Sequence, residues 1–191
     1  MNEQHLVEEL RNQDEKATRF FIQTYQHDVF RVILKIVFNE MDAEDLTQET
    51  FMDALVHIRD FQSDSSLKTW LFRIAVNRSL QHLRACKRKK RFAVLKSIFA
   101  TESEEPIAIP DPSASISKKI ENDELSKALQ LNIEKLPENQ RLAFSLIYLN
   151  GHTYQETASI MDVSVKAIEA LLSRAKLKLR KSLGEFHYET T

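Results

Sequence analysis

Apolar residues recur at intervals of three or four positions along most of this chain, which is the period of an amphipathic α-helix. The first long stripe contains eight aromatic and branched residues: Phe20, Phe21, Tyr25, Val29, Val32, Ile33, Ile36 and Val37. Asp42 opens a second helical pattern that continues to about Arg59, and we expect its side chain to cap that helix. A third pattern follows the polar residues 62–66 and extends to about Arg91.

Further helices are predicted for the second half of the chain. One covers roughly residues 121–135. Thr153 precedes a short apolar pattern and is followed by Glu156 at the spacing of a capping box. After a short turn, Ser164 can cap a final helix that continues to about Leu183. A short helix, a tight turn and a longer helix in this order predict a helix-turn-helix.

The composition supports helices in two separate units. The chain has 191 residues with only two glycines and four prolines, which suits helices joined by short connections. Prolines and acids concentrate at residues 101–115, which we interpret as part of a linker. The predicted fold is all-α, with two small helical domains joined by a flexible linker and the helix-turn-helix in the C-terminal one. The predicted bounds are residues 1–92 and 121–187 for the domains and 93–120 for the linker.

The net charge is −1, but acidic and basic segments are separate. Residues 40–53 contain no Lys or Arg, residues 73–91 contain no acid, and further cations lie at residues 174–181. This separation favours two kinds of partner. A single cysteine, Cys86, excludes a disulfide within the chain, and the histidines show no metal-binding spacing. We therefore expect neither a metal nor a cofactor.

Several function classes lack their sequence signals. The N-terminus is polar, and every apolar run is far shorter than the ~20 residues of a membrane span. We expect a cytoplasmic protein without membrane insertion. There is no Gly-rich phosphate loop, no GxSxG or HExxH motif and no plausible Cys–His nucleophile pair. We predict no catalytic residues and no enzymatic activity.

Two helix faces carry residue types that bind nucleic acid. On the final helix, cations and small residues lie opposite the apolar stripe: Lys166, Ala167, Ala170, Arg174, Lys178 and Lys181. They suit a major groove, with a solvated basic face as the alternative. On the third helix, one face combines an aromatic ring with cations and amides: Trp70, Arg73, Asn77, Gln81 and Arg84. This set suits unpaired DNA, with burial of Trp70 between helices as an equal alternative.

The helix that begins near Asp42 has an acidic face opposite its apolar one. Four carboxylates share it: Asp42, Asp45, Glu49 and Asp53. Met52 and Val56 lie between them. Apolar side chains among acids indicate a protein-binding surface, and two stray apolar residues are the alternative.

Several segments resemble, in the right order, motifs of the extracytoplasmic-function (ECF) group of sigma-70 family sigma factors. Residues 42–51 (DAEDLTQETF) are similar to their polymerase-binding segment, and residues 68–78 (KTWLFRIAVNR) to their promoter-melting and −10 element segment. Residues 136–141 (LPENQR), 154–158 (YQETA) and 164–169 (SVKAIE) resemble their −35 element domain. The resemblance covers both predicted domains and is more specific than a lone helix-turn-helix.

The resemblance implies an alternative sigma factor that binds core RNA polymerase at its β′ clamp helices and β flap and recognises −10 and −35 promoter elements. It also implies promoter DNA and an anti-sigma factor as partners. Its polymerase-binding residues would be Asp42, Asp45, Gln48, Glu49 and Met52. Its −10 DNA-binding residues would be Ser63, Asp64, Ser65, Lys68, Trp70, Arg73, Asn77, Arg78 and Arg84. Its −35 DNA-binding residues would be Thr153, Ser164, Lys166, Ala167, Ala170, Ser173, Arg174 and Lys178.

One position departs from the family pattern, and two other functions stay open at this point. Many relatives carry Arg where this chain has Glu169, so no −35 consensus can be transferred. A stand-alone helix-turn-helix regulator would bind promoter duplex without polymerase. A protein–protein adaptor that mimics a sigma factor would bind polymerase or an anti-sigma factor without supporting transcription.

Overall fold

A computed structural model describes residues 2–99 and 123–189, and it describes side chains for residues 2–89, 91, 92 and 129–182. The first range forms four helices, with a 3₁₀ turn at Ile58–Asp60 after the third: α1 Glu3–Arg11, α2 Glu15–Val37, α3 Glu40–His57 and α4 Leu67–Phe99. The second range forms four more, with a π-helical turn at Ser145–Leu149 after the second: α5 Asp123–Glu134, α6 Glu138–Phe144, α7 Tyr154–Met161 and α8 Val165–Glu189. These two ranges contain no β-strand, and the all-α prediction is confirmed.

Helices α1 to α4 close around one apolar core. Phe21 of α2 is fully buried and meets Tyr25 and Phe51 edge to face, with ring centroids 5.5 and 5.4 Å apart. The buried Thr50 hydroxyl donates to the Leu46 carbonyl at 2.7 Å, so this polar group causes no unsatisfied hydrogen bond in the core. Burial of this apolar stripe fixes the rotation of α2 and α3 and so decides which faces remain in solvent.

The prediction that Asp42 caps α3 is wrong. The N-cap is Asn39, which has extended backbone and accepts the Asp42 backbone N–H at 3.0 Å. Asp42 lies inside the first helical turn, where a carboxylate is favoured by the positive end of the helix dipole. Asn and Asp are both favoured near the start of a helix. Which of them becomes the N-cap depends on where the backbone changes from extended to helical, and that point is set by the end of α2.

The last helix of each half is longer than predicted. α4 ends at Phe99 rather than near Arg91, and α8 ends at Glu189 rather than near Leu183. The first seven positions expected in the linker, 93–99, are therefore helical. The rest of the expected linker, residues 100–120, lies outside the described residues.

The C-terminus of α2 has an uncommon cap. Phe38 adopts the left-handed conformation (φ 58°, ψ 27°), and its N–H donates to the Leu34 carbonyl at 2.8 Å. Glycine usually occupies this position because a bulky side chain is strained there. The Phe38 ring packs with Ile133 and Leu136 of the second half, so contacts across the molecule offset this strain.

The two halves are in direct contact. Leu142, Leu146 and Ile160 of the second half are buried in the same apolar cluster as the core of α1 to α4. Smaller clusters inside the second half join α8 to α5 and α7. Among the described residues, no helix has both the length and the apolar composition needed to cross a bilayer.

Candidate docking and nucleic-acid interfaces

The exposed face of α3, which we call the docking face, consists of apolar and acidic side chains: Met41, Asp45, Gln48, Glu49, Met52 and Val56. Met52 and Val56 are 66% and 73% exposed, although both are apolar. The other side of α3 is buried in the core through Leu46 and Phe51. The predicted polymerase-binding residues Asp45, Gln48, Glu49 and Met52 therefore share one solvent-facing surface.

Asp42 is less exposed than the rest of that set, although it lines one cleft together with Asp45 and Glu49. It is half-buried, and its Oδ2 lies 3.1 Å from Nε2 of His82 on α4. Cys86 Sγ lies 3.4 Å from the same His82 nitrogen. A histidine that activates a thiol uses its other nitrogen for the orienting carboxylate, and here both partners meet one nitrogen. The Cys86–His82 pair, which the sequence pattern did not reveal, therefore lacks the geometry of a nucleophile and its base.

Arg78 connects the docking face to α4. Its guanidinium donates to both carboxylate oxygens of Asp53 and approaches Glu49 Oε2 at 3.4 Å. This hydrogen-bonded pairing lowers the pKa of Asp53 below its usual range. Arg78, which is predicted to contact −10 DNA, is thus held between α3 and α4, and its positive charge is already partly neutralised.

A cleft beside Arg78 contains the aromatic and amide side chains predicted to meet unpaired DNA. Trp70, Asn77 and Gln81 line it together with Ile74. Trp70 is only partly buried, with its ring centroid 5.3 Å from that of Phe61. One side of the indole therefore belongs to the helix seam while the other lines the cleft. Its partial burial agrees with the helix-seam interpretation, and its contact with unpaired DNA stays a prediction.

Three other cations of the predicted −10 set have protein partners. Lys68 Nζ binds Asp28 Oδ2 at 2.6 Å, and Arg84 Nε binds Glu138 Oε2 at 2.9 Å. Arg73 Nε donates to the carbonyl of Ser159, on α7, at 2.8 Å. The structure thus separates the predicted set into an open part around Trp70 and Asn77 and a part engaged by neighbouring residues.

The loop before α4 is exposed and tightly turned. Ser63 and Asp64 are exposed, Ser65 is half-buried, and Ser63 has a left-handed backbone with φ 61°. Ser66 ends the loop by accepting the Thr69 backbone N–H at 3.1 Å, in the manner of an N-cap. The loop therefore presents short polar side chains beside the first turn of α4, close to Trp70 in sequence.

The predicted helix-turn-helix is formed by α7 and α8. Thr153 accepts the Glu156 backbone N–H at 3.1 Å, and Glu156 accepts the Thr153 backbone N–H at 2.8 Å, which completes the predicted capping box. Asp162 ends α7 in the left-handed conformation. Ser164 accepts the Ala167 backbone N–H at 3.2 Å, as predicted for a cap of α8.

Removal of this capping box should destabilise the fold measurably. We expect Thr153→Ala to lower the free energy of unfolding by about 1 kcal/mol, because the Glu156 N–H loses its acceptor. Chemical denaturation followed by helical circular dichroism measures this change. Thr153→Ser keeps the hydroxyl and serves as the control. An equal loss in both variants would show that the threonine methyl, not the cap, provides the stability.

The outer face of α8 is available to solvent. Most of the residues predicted to contact −35 DNA are exposed on it: Lys166, Ala170, Ser173, Arg174 and Lys178. Ala167 is half-buried. Ile168, Leu172, Ala175 and Leu179 are buried on the opposite side, as the sequence pattern predicted. The exposed Glu169 lies among these groups.

Sequence reasoning missed three features near this face. Leu177 is apolar but 71% exposed on α8, two turns after Ala170. Lys176 Nζ lies 4.9 Å from the Tyr148 ring centroid, and its hydrogen bond lowers the pKa of that tyrosine. Tyr154 contributes a second exposed aromatic ring. The two tyrosines lie on separate elements, so no pattern on α8 alone could have indicated them.

Within residues 2–99 and 123–189, no group of three or more His, Cys, Asp or Glu side chains is arranged to hold a metal ion. What these ranges contain is three separate faces: an acidic and apolar one on α3, an aromatic and amide one on α4, and a basic one on α8. Each face suits a macromolecular partner rather than a small substrate.

Residues 21–89 match the family model of Sigma-70 region 2, and residues 126–179 match that of Sigma-70, region 4. The chain is 33% identical over 176 residues to the ECF RNA polymerase sigma-E factor of Escherichia coli K12, covering 92% of this chain and 91% of that protein. The chain belongs to the ECF group of the sigma-70 family. The RNA polymerase sigma-H factor of Pseudomonas aeruginosa is similar as well, 30% identical over 181 residues, with 95% and 93% covered.

Two solved structures share the fold. CnrH in complex with the cytosolic domain of CnrY is 21% identical and aligns with a TM-score of 0.63 over 96% of this chain and 97% of that one. The sigma factor RpoE from Bartonella quintana in complex with the anti-sigma factor NepR is 24% identical, with a TM-score of 0.57 over 87% and 96%. The family assignment confirms the resemblance and makes this chain an alternative sigma factor of transcription initiation.

Proposed function

We propose that this sigma factor binds core RNA polymerase through the docking face of α3 and promoter DNA through two separate faces. The cleft of α4 and the loop before it would engage the −10 element, and α7 with α8 would engage the −35 element. The protein would act in the cytoplasm and catalyse no reaction itself. The observation that carries the proposal is the exposure of Met52 and Val56 among carboxylates, on the same bundle as the Trp70 cleft.

The docking face has the properties of a protein interface. Burial of exposed apolar side chains against a partner is favourable, and the carboxylates around them favour a partner with a basic surface. Asp45 and Glu49 supply the charge, while Met52 can adapt its shape to the partner. The β′ clamp helices are the partner that the family resemblance implies, and the β flap would receive the second half of the chain.

The α4 cleft is suited to a base that has left the duplex stack. A ring stacked on Trp70 would place its edge near the amides of Asn77 and Gln81, which can donate and accept hydrogen bonds. The exposed Ser63 and Asp64 lie in the loop that precedes this helix. Capture of flipped bases by the cleft and loop would drive melting without a fuel molecule.

The exposed face of α8 would enter the major groove of the −35 element. Ala167 and Ala170 are small enough to let the helix approach the groove floor, and Lys166 and Arg174 can reach phosphates or base edges. Glu169 cannot bind phosphate, but it can accept a hydrogen bond from a cytosine amino group. The −35 sequence is therefore expected to differ from that of relatives with Arg at this position.

An anti-sigma factor is the expected regulator. The similar sigma factor RpoE from Bartonella quintana is in complex with the anti-sigma factor NepR. A partner that covers the docking face or either DNA face of this chain would prevent initiation. Such a partner would need apolar side chains for Met52 and Val56 and basic ones for the carboxylates around them.

Reconstitution with core polymerase tests the proposed function. We expect the purified chain to bind core RNA polymerase and, with it, to select and transcribe promoters from a random DNA library. The chain alone should bind the selected duplexes far more weakly than the holoenzyme. Tight duplex binding by the chain alone, together with absence of polymerase binding, would favour a stand-alone regulator and sink this proposal.

Loss of the Trp70 ring should impair melting but not docking. We expect Trp70→Ala to reduce open-complex formation on a selected promoter by about tenfold or more, because one base loses its stacking partner. The permanganate reactivity of unpaired thymines measures open-complex formation. Trp70→Phe keeps a ring and should retain most of the activity. If Trp70→Ala also lost polymerase binding, the indole would serve the bundle rather than the DNA.

A further inference from the structure

The cleft that contains Trp70 has a polar wall that the predicted −10 set did not include. His57 and Asp60 form this wall and line the cleft together with Trp70 and Asn77 of α4. His57 is the last residue of α3, and Asp60 is the last residue of the 3₁₀ turn that follows it. Their side chains are 60% and 78% exposed, so both are open to a ligand in the cleft.

The turn that carries Asp60 is held in place by packing on both sides. Ile58, at the start of the turn, is buried in the core of α1 to α4. Phe61, which follows Asp60, is buried as well, and its ring is the one that contacts the Trp70 indole. Arg11 of α1 also donates from its guanidinium to the Phe61 carbonyl at 2.6 Å. The position of Asp60 relative to the indole is therefore fixed before a ligand arrives.

The contact between His57 and Asp60 determines which atoms of the wall can accept hydrogen bonds. Nδ1 of His57 lies 3.1 Å from Oδ2 of Asp60. An ionised carboxylate only accepts hydrogen bonds, so Nδ1 carries the proton and donates it to Asp60. In the neutral imidazole Nε2 is then an acceptor, and the Asp60 carboxylate has further acceptor capacity of its own. The wall therefore presents acceptors to a ligand in the cleft.

The charges that line the cleft favour a base over a phosphate. Arg78 lines the cleft, but its guanidinium donates to both carboxylate oxygens of Asp53, so its positive charge is balanced there. Asp60 adds a negative charge whose hydrogen-bonded neighbour is an imidazole. A phosphate would be repelled by this carboxylate, whereas an N–H group of a base would be attracted. We therefore expect the wall to meet the edge of a base and not the DNA backbone.

A wall of acceptors distinguishes between bases by their exocyclic amino groups. Cytosine, adenine and guanine each carry such a group, and a carboxylate that accepts from the amino group of cytosine is a common form of base recognition. Thymine has no amino group and presents carbonyl oxygens, which the acceptors of the wall would repel. The exposed amides of Asn77 and Gln81 can donate to an acceptor atom beside the amino group. The cleft thus has complementary partners for an amino-bearing base that is stacked on Trp70.

We propose that His57 and Asp60 determine the base specificity of the Trp70 cleft, by accepting hydrogen bonds from the exocyclic amino group of an unpaired base. The inference rests on the proposed function, because it takes this cleft to be the site for unpaired DNA. Trp70 provides stacking to any base, since every base has a π-face, whereas the wall selects among bases. Removal of the wall is therefore expected to reduce discrimination between bases and to leave stacking in place.

A matched pair of oligonucleotides isolates the contribution of the amino group. A labelled single strand of abasic sites carries one central base, either cytosine or uracil, which are pyrimidines of the same size. Fluorescence anisotropy at low salt and mildly alkaline pH, where a free imidazole is neutral, gives the affinity of the full chain for each. We expect the wild-type chain to bind the cytosine strand about fivefold more tightly. Strands with a central adenine or guanine then show which amino-bearing base fits best.

Two variants of the wall should remove this preference. Asp60→Asn replaces the carboxylate by an amide that also donates, and His57→Ala removes the imidazole. We expect the ratio of the cytosine and uracil affinities to fall below about twofold in both. Glu8→Gln makes the same change from carboxylate to amide on the exposed surface of α1 and should keep the wild-type ratio. A contact that only stabilises the end of α3 would leave the ratio unchanged. A wild-type ratio in both wall variants, or a ratio near one in the wild-type chain, would overturn the proposal.

A second measurement examines the wall in the holoenzyme. Holoenzymes assembled with the wild-type chain and with Asp60→Asn each select promoters from the same random DNA library. We expect the variant to lose the preference for an amino-bearing base at a single −10 position, while the selected −35 element stays the same. Unchanged preference at every −10 position would contradict the proposal. Failure of the wild-type chain to bind core polymerase would sink the proposed function, and the oligonucleotide ratios would still decide whether the wall selects a base.

Discussion

The double variant Asp45→Arg/Glu49→Arg is expected to bind core RNA polymerase at least about 100-fold more weakly than the wild-type chain. Both side chains are exposed on the docking face, one turn apart on α3. If that face meets a basic surface, reversal replaces two attractions by two repulsions and leaves Met52 and Val56 without charged neighbours of the right sign. Equilibrium binding of the labelled chain to core polymerase measures the loss.

Two controls separate docking from folding and from net charge. Glu49 also approaches Arg78, so Asp45→Arg alone is the cleaner change, with an expected loss of about tenfold. Glu8→Arg/Glu15→Arg makes the same net charge change at two exposed positions on α1 and α2. We expect this control variant to bind core polymerase with wild-type affinity. A loss as large as that of the docking-face variant would mean that polymerase responds to total charge, and the docking face would lose its support.

Phe21→Ala is expected to lower the free energy of unfolding by about 3–5 kcal/mol. The Phe21 ring is fully buried between Tyr25 and Phe51, where α2 crosses α3. Removing it leaves a cavity at the contact that fixes the rotation of α3. Urea denaturation followed by circular dichroism measures the change. Polymerase binding should weaken in parallel at temperatures where the variant is partly unfolded.

Phe20 provides a matched control on the preceding position of α2. Its side chain is exposed, although the sequence pattern placed it in the same apolar stripe. Phe20→Ala removes the same atoms and is expected to cost less than about 1 kcal/mol. Similar losses for the two alanine variants would show that α2 is rotated about its axis so that Phe20 is buried as well.

Local signals in the sequence predicted much of the helix-turn-helix. The capping box of Thr153 and Glu156 and the cap formed by Ser164 depend on residues only three positions apart, so their geometry is decided within one helical turn. The buried and exposed sides of α8 also follow from its own periodicity. The position at which a helix ends is harder to predict from neighbouring residues. The basic C-terminal part of α4, for example, contains no glycine or proline that would interrupt the helix.

The contact between the halves could not be predicted from periodicity. Arg141 has the appearance of a surface cation, and its burial depends on a carbonyl of α2 about a hundred positions earlier in the chain. Nothing local distinguishes Arg73, which donates to α7, from Arg78, which is held by α3. One signal was present: Leu142, Leu146 and Ile160 are apolar residues of the second half that lie outside the clusters filling that half's own interior.

The pairing of Arg78 with Asp53 has a consequence for attempts to reprogram this sigma factor. A substitution at Arg78 meant to alter promoter choice would leave the Asp53 carboxylate of α3 without its cation, next to Glu49. The added negative charge would then act on the surface that receives polymerase. Promoter preference and polymerase affinity are thus linked at Arg78, whereas Asn77 is exposed and can be varied without disturbing α3. Orthogonal variants are best sought at Asn77 first.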